Sequence, residues 1–511
     1  MMQKRSLCAV LFVMLMMALS VNGAVAEDDA LRSGDYQYRV LEDGTAEITR
    51  YVGNELSFSI PETLDGKSVT SIGDWAFSNC KVLMGIKVPK SVRNIGNGAF
   101  FWCLSLKDIV LSENTISIGD GAFYNCKSLV EIALPDSVTQ LGENPFENCG
   151  SLEHIRVSPE NLTFAVIDNV LFNKKEKSLI CYVQGKDKTS SYEIPHGIRK
   201  VGAAAFSYCD VLKEITIPSS VVSIEDKAFS MCRTLEKITI PESVTSVGNS
   251  AFYGCSTLKK ITIPNSVTEL GERVFENCSS LEHICVSVRH STFSIIDNVL
   301  FNKKEKTLIC YIQGKDKASN YEIPQGVRKI GAGAFSYCGS LKEIMIPETV
   351  TSIGDCAFSH CSSLKGITIP ESVVSMGDEV FSGCRNLEEI AIPESVTSIG
   401  NEAFFGCRNL KKITISNGVT SIGNYAFSFC SALSEITIPE SVTSVGNSAF
   451  YNCSSLRNVI VSNGITSIDT GVFDDCNYLT LVVPRDSYAA RYAKDNNLNY
   501  TYPDTNDWLN N

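Results

Sequence analysis

Histidine is scarce in this chain, with five residues among 511. Neither a His-Glu-x-x-His zinc motif nor a Gly-x-Ser-x-Gly nucleophile elbow occurs, which removes two common signatures of hydrolytic enzymes. Gln313-Gly314-Lys315 lacks the leading glycine of a phosphate-binding loop. Cys356, His360 and Cys361 stand close together, but their spacing is not that of a zinc pair and no second ligand pair accompanies them. No catalytic, cofactor-binding or metal residue is therefore assigned. Positive charge is also in short supply: 45 Lys and Arg face 57 Asp and Glu, a formal charge of −12. Such a surface repels phosphate backbones and anionic headgroups, so nucleic acid and membrane adsorption are poor partners. The acidic residues themselves leave one enzymatic route open, a carboxylate pair assembled across turns to hydrolyse a glycan or peptide.

Long apolar runs are missing after the first residues. Lys4 and Arg5 precede an almost wholly apolar run from Leu7 to Leu19, and Ala24-Val25-Ala26 supplies small residues before Glu27 and Asp28. This pattern predicts a secretory signal over 1–26, cleaved after Ala26. The run is too short for a membrane span, Cys8 stands too early for a lipid acceptor, and Trp508-Leu509-Asn510-Asn511 is no hydrophobic anchor. The expectation is a secreted or cell-surface protein with no membrane span after cleavage. Loss of the leader leaves 43 cations against 57 carboxylates, a charge of −14.

Cysteine, by contrast, is plentiful at 20 residues, and its spacing organises the chain. Cys80, Cys103, Cys126 and Cys149 are 23 residues apart. After a gap of 60 the step resumes from Cys209 to Cys278, and after another gap of 60 it runs from Cys338 to Cys476. Phenylalanine stands three residues before each of these fifteen cysteines, and glycine seven before thirteen of them, Glu225 and Asp469 being the exceptions. One unit, read from Leu235, is LEKITIPESVTSVGNSAFYGCST. Leu235, Ile238 and Ile240 have the spacing of a strand with one buried face, and Pro241 closes that strand because it cannot donate to a ladder. Val244 and Val247 form a second apolar pair before Gly248 turns the chain. Ala251, Phe252 and Cys255 then make a tight, 3₁₀-like or irregular return. A single 23-residue turn cannot bury these side chains, whereas stacked turns share a core.

The two gaps repeat one another. IDNVLFNKKEKSLICYV (167–183) matches IDNVLFNKKEKTLICYI (296–312), and each predicts two strands around a polar turn. The expected architecture is mostly β: a solenoid of about seventeen 23-residue turns over 63–484. It carries β-hairpin insertions near 163–190 and 292–319. A β cap over 27–62 with an Asp43-Gly44 turn precedes it, and a cap or tail over 485–511 follows, helix-like from Ser487 to Asn497 with Trp508 folded back on it. Caps are expected because an open strand edge invites aggregation.

The Ile-x-Ile-Pro strand, the Ile/Val-Gly turn, the Ala-Phe-x-x-Cys return, the DNVLF block and the Ser-Tyr-Ala-Ala-x-x-Tyr-Ala tail together resemble the BspA-type leucine-rich repeat family of bacterial and protist surface proteins. The resemblance covers essentially the whole chain after the leader. It implies a leucine-rich-repeat solenoid, attachment to host extracellular proteins or other microbes, and no active-site motif to carry over.

Equivalent cysteines on stacked turns keep their Cβ atoms about 4.8 Å apart, wider than the roughly 3.8 Å of a disulfide, so the fifteen predict a reduced, buried ladder; Cys181 and Cys310 share that role in the hairpins. The residue between the two inward isoleucines must point outward. That column reads Thr216, Thr239, Thr262, Met345, Thr368, Ala391, Thr414, Thr437 and Ile460, with Lys259, Lys260, Lys411 and Lys412 at its margin. It forms a candidate ligand-facing surface, although threonine suits any exposed strand. The hairpin tips Lys174-Lys175 and Lys303-Lys304 form a second candidate, with solvated turn lysines as the plain alternative. The function expected is a monomeric, non-catalytic scaffold that binds an extracellular protein or cell-surface ligand. An architectural envelope component without a private ligand is the alternative.

Overall fold

The computed structural model describes residues 30–183, 189–312 and 318–503. The leader with its cleavage site, the Gln313-Gly314-Lys315 segment and Trp508 lie outside them. The chain divides into two compact units, 1–175 with 181–186 and 176–180 with 187–511. Both are built from one kind of turn, about 19 in all, in a fold only 2% helical. That is about two more than the seventeen expected.

The turn around Leu235 shows how the sequence makes the fold. Lys237–Thr239 pairs in parallel with Glu214–Thr216, setting Ile215 beside Ile238 and Thr216 beside Thr239. Ile238 and Ile240 are buried while Thr239 is exposed. The Pro241 carbonyl accepts from Val244 N–H at 3.1 Å and bends the chain out of the strand. A second parallel ladder follows: Ser246–Val247 pairs with Ser223–Ile224 on one side and Glu269–Leu270 on the other. Two residues per strand are too few to show alternation in sequence, so this ladder is readable only as an apolar pair.

The return from Gly248 to Cys255 is neither strand nor helix, yet its backbone groups are paired. The N–H groups of Ser250, Phe252 and Gly254 donate to Glu272, Val274 and Glu276 of the following turn at 2.8–3.0 Å. Those of Tyr253 and Cys255 close back on Ser250 and Phe252 at 3.0 and 3.2 Å. Alternate donors thus serve the neighbour and the local turn, which satisfies a buried segment without regular structure. Left-handed backbone at Ser250 (φ 53°) and Gly254 (φ 71°) allows this alternation. Gly248 is required by proximity: a Cβ there would lie 2.5 Å from Asp226 N and 2.6 Å from Glu225 C.

The inward side chains stack by type. In the N-terminal unit Phe77, Phe100, Phe123 and Phe146 follow one another at 5.2–5.7 Å between ring centroids. In the C-terminal unit Phe335 through Phe473 do the same at 5.1–5.5 Å. All described cysteines are free thiols. Cys255 Sγ donates to the Phe229 carbonyl at 3.1 Å and Cys407 to Phe381 at 3.1 Å, each acceptor 26 residues earlier. The thiol is a small apolar filler whose one proton meets a backbone carbonyl of the preceding turn.

Each insertion is a three-stranded meander. In the second copy, Phe293–Ile296, Val299–Asn302 and Thr307–Tyr311 pair antiparallel in succession, and the last pairs in parallel with Lys329–Ile330. The tight turn between the first two strands is Asp297-Asn298, both left-handed (φ 47° and 61°), as a two-residue hairpin requires. The Asn302–Lys306 turn joins the second and third strands. Before each meander a buried side chain pins the loop. In the first copy Asn161 Oδ1 accepts from the N–H groups of Thr163 and Phe164, and Nδ2 donates to the Pro135 and Val138 carbonyls. In the second copy His290 stands there: Nδ1 accepts from Thr292 and Phe293 N–H at 3.1 and 3.2 Å, so Nε2 carries the hydrogen that meets Pro264 O at 3.1 Å.

At the N-terminal end, Leu31–Ser33, Tyr36–Val40 and Ala46–Tyr51 form an antiparallel meander whose last strand pairs in parallel with Lys67–Ile72. Tyr51 stacks on Phe77 at 5.3 Å and ends the phenylalanine column with an aromatic ring. At the other end a helix, Tyr488–Asp495, starts at Ser487, whose side chain accepts from Ala490 N–H. Its Tyr492 meets Phe473 edge-on at 6.5 Å.

Candidate functional site

Inward residues are consumed by the core, so contact chemistry is left to the outward positions of the strands. Thr216, Thr239, Thr262, Met345, Thr368, Ala391, Thr414 and Thr437 are all exposed, and Ile460 is half-buried. Register brings neighbours together: Thr216 with Thr239, Ala391 with Thr414, and Thr437 with Ile460. Met345, 60% exposed, breaks the polar run with an aliphatic thioether. Lys259, Lys260, Lys411 and Lys412 are exposed beside this column, but Lys411 Nζ lies 2.8 Å from Glu388 on the preceding turn. The same turn-to-turn pairing joins Lys213 to Glu236 at 3.1 Å and Lys237 to Glu214.

The hairpin lysines divide. Lys175 and Lys304 are exposed at the tips, their N–H groups held by the Asn173 and Asn302 side chains at 3.0 Å. Lys174 and Lys303 instead turn back: each ammonium donates to the carbonyl of the loop-pinning residue, Asn161 in one copy and His290 in the other. They fasten the meander, a role that turn composition does not reveal. Cys356, His360 and Cys361 go separate ways. Cys361 donates to Phe335 O in the thiol ladder, His360 stacks on Tyr337 at 4.6 Å, and Cys356 sits buried at a left-handed position (φ 53°).

Two arrangements were not read from the sequence. After nine of the thirteen repeated glycines comes Asp or Asn, and such a side chain accepts from the backbone N–H one turn on. Asp74 serves Asn97, Asn97 serves Asp120 and Asp120 serves Glu143 at 2.7–2.8 Å. Asp378, Asn401 and Asn424 continue the device in the other unit at 2.7–2.8 Å. Gly-Asp/Asn at a step of 23 is the signal that would have found it. The second arrangement is a buried charge cluster beside the second hairpin block. Arg273 Nε bonds Glu276, whose other oxygen accepts from Ser336 Oγ at 2.8 Å across 60 residues. Further along, burial pushes the Glu379 carboxyl up, and burial with Glu379 and Asp378 beside it pushes Glu402 up to about 7. Burial likewise raises the thiols inside the ladder, Cys126 pushed up to about 12, whereas hydrogen bonding with Cys103 and Cys453 lowers Cys80 and Cys476 at its two ends. Arg273 and Glu276 satisfy each other, so this part of the cluster ties turns together.

A leucine rich cell surface protein from Faecalibacterium prausnitzii A2-165 is 26% identical, over 91% of this chain and 97% of that one, with a TM-score of 0.35. Leucine-rich repeat proteins from Bacteroides ovatus and Eubacterium ventriosum are 22% and 20% identical. They cover 93% and 87% of this chain and 99% and 93% of their own, with TM-scores of 0.33 and 0.45. No curated protein matches. The model of the BspA type leucine rich repeat region matches residues 55–178, 181–307, 310–400 and 375–493. With nearly every described repeat inside those matches, the chain belongs to the BspA-type leucine-rich repeat family.

Proposed function

We propose that the protein is a non-catalytic binding scaffold that works at or outside the cell surface and holds an extracellular protein or cell-surface ligand on its strand face. The observation that carries this reading is the exposed outward column from Thr216 to Thr437, mostly threonine, weakly polar and in register where its strands pair. A parallel sheet is ordinarily buried on both faces; here one face is left to solvent, which a contact surface explains. The leader over 1–26 supplies the route out of the cell, and no described helix is long and apolar enough to cross a membrane. The functional chain is a monomer running from a cap over 27–62 through a solenoid over 63–484 to a tail over 485–511.

The test is adhesion of the purified mature chain to immobilised extracellular-matrix proteins and to bacterial cells. Binding that disappears when Thr239, Thr262, Thr414 and Thr437 are changed to lysine, with folding intact, supports the reading. Binding to nothing, together with incorporation into the envelope fraction, assigns the chain to an architectural role instead. Turnover of a glycan or peptide that is lost on Glu402→Gln would replace both with a hydrolase.

A further inference from the structure

The short strands of the second ladder align their outward residues as the threonine strands do. In the N-terminal unit, pairing sets Glu47, Ser71, Asn94, Ser117 and Gln140 in one register row. A glycine stands two residues after each of the last four, at Gly73, Gly96, Gly119 and Gly142. With no side chains there, a groove of about 460 Å³ stays open, lined by the row, these glycines, Asp74 and Asn97. Its backbone donors are spent: all four glycine N–H groups donate to an isoleucine carbonyl one turn back at 2.8 Å. An extended peptide therefore finds no ladder to join, and recognition falls to side chains. Both charged residues of the lining are engaged carboxylates, Glu47 by Arg39 at 2.8 Å and Asp74 by Asn97 N–H at 2.7 Å. They repel an anion and offer a cation no unengaged partner.

The free groups are neutral. Ser71 is only 9% exposed, and its hydroxyl has no hydrogen-bond partner among the described residues. A buried hydroxyl is ordinarily paired, so this one marks a place for a polar group of a ligand. Asn94 Oδ1 accepts from Ser117 at 2.9 Å, and among the described residues the Asn94 amide nitrogen and the Gln140 amide have no partner. In the C-terminal unit the same row reads Ser398, Ser421, Ser444 and Ser467, with no amide. Next to Asp74, Trp75 holds a left-handed backbone (φ 59°) and lies against Gly98, where a Cβ would stand 2.5 Å from its ring. It remains 40% exposed, an aromatic face of the kind on which the C–H groups of sugar rings stack.

We propose that this groove binds a neutral oligosaccharide, its hydroxyls exchanging hydrogen bonds with Ser71, Asn94 and Gln140 and one ring resting on Trp75. Turns stand about 4.8 Å apart, so polar side chains recurring at that interval suit a chain of polar units. The site lies in the other unit from the threonine column and does not depend on binding there.

The experiment titrates the full mature chain calorimetrically with neutral hexasaccharides of glucose, mannose and N-acetylglucosamine, and with a galacturonate hexamer as the charged control. At least one neutral hexamer should bind, and the galacturonate should not. Ser71→Ala with Gln140→Ala, and separately Trp75→Ala, should each weaken binding by about ten-fold or more. The first pair removes no internal side-chain hydrogen bond, so its melting curve should be unchanged even if Trp75→Ala fails to fold. Thr239→Lys with Thr262→Lys should leave sugar binding intact, and the Ser71 and Gln140 pair should leave adhesion through the threonine column intact, so failure of either surface is told apart from failure of the other. Binding of no neutral hexamer, equal binding of the galacturonate, or insensitivity to both sets of groove substitutions overturns the proposal. Loss of sugar binding in the threonine variant does so too, by moving the sugar to the other unit.

Discussion

Within a single turn the return and the strand face obey different rules, and the turn from Gly400 to Thr414 shows both. On the return side, Phe404 is stacked between Phe381 and Phe427 at 5.5 and 5.3 Å, Cys407 donates to a carbonyl of the previous turn, and Gly400 lies against backbone. Every atom there is specified by a copy of itself one turn away. On the strand side, Thr414 stands in register with Ala391 and is exposed. Stacking fixes what points inward and leaves the outward residue free, so the N-terminal unit can show Lys87, Val110, Ala133 and Arg156 on the backbone that elsewhere shows threonine. Contact specificity in such a fold resides where the repeat is least regular.

The contrast is sharpest for Phe404→Ala. It removes the ring from a close-packed column, and a cost of about 3–5 kcal/mol is expected. Because turns contact only their neighbours, the damage should be local. Hydrogen exchange should rise over residues 381–430 and stay unchanged in the N-terminal unit. Uniform loss of protection across both units would show that turn-to-turn coupling is far longer in range than nearest-neighbour stacking allows.

Gly400→Ala comes next. A Cβ there would lie 2.6 Å from the Gly377 carbonyl oxygen, and backbone of a stacked turn cannot swing aside as a side chain can. About 1–3 kcal/mol of destabilisation is expected, read as a lower midpoint in urea. A neutral result would mean that the glycine is kept for something other than this approach.

How much of this was legible beforehand follows the same division. The step of 23, the inward Phe and Cys, the Ile-x-Ile strand and the helix near Tyr488 were readable, because burial repeated at each copy leaves a periodic mark. The Ser246–Val247 ladder was visible only as an apolar pair, since two residues hold no period. The hairpin blocks were read as two strands around Asn173–Glu176. The Asp168-Asn169 turn and the extra strand before it depend on left-handed backbone at two non-glycine residues, which composition does not announce. Lys174 and Lys303 looked like free tips because their acceptors are carbonyls, which sequence does not distinguish. The outward column was found by alternation, but which of its residues contact a ligand has no periodic signature.

Glu402 lies on the return at a left-handed position (φ 52°) and refines the contrast by pH. Burial, with Glu379 and Asp378 beside it, pushes its carboxyl up to about 7 from the ordinary 4.5, so between these values the folded chain keeps a proton that the unfolded chain has released. The associated stability is whole below pH 4.5, falls as pH rises and is gone above 7. Glu402→Gln should therefore raise stability at pH 8 by about 2 kcal/mol and change it little at pH 4. Denaturant midpoints of the two proteins at both pH values decide it; an equal gain at both would mean that the carboxylate is not penalised by burial.

The smallest effect belongs to the strand face. Thr414→Lys places a flexible side chain where the threonine already meets solvent, so stability should move by less than about 0.5 kcal/mol, roughly a tenth of the Phe404→Ala cost. Lys412 stands two residues back on the same exposed face, and screened repulsion between the two cations opposes the change. Raising the salt from low to high concentration should erase what little destabilisation appears. A shift of several degrees in melting temperature, insensitive to salt, would instead show that the outward threonines are packed residues of the sheet, and the division between a specified interior and a free exterior would fail at its simplest position.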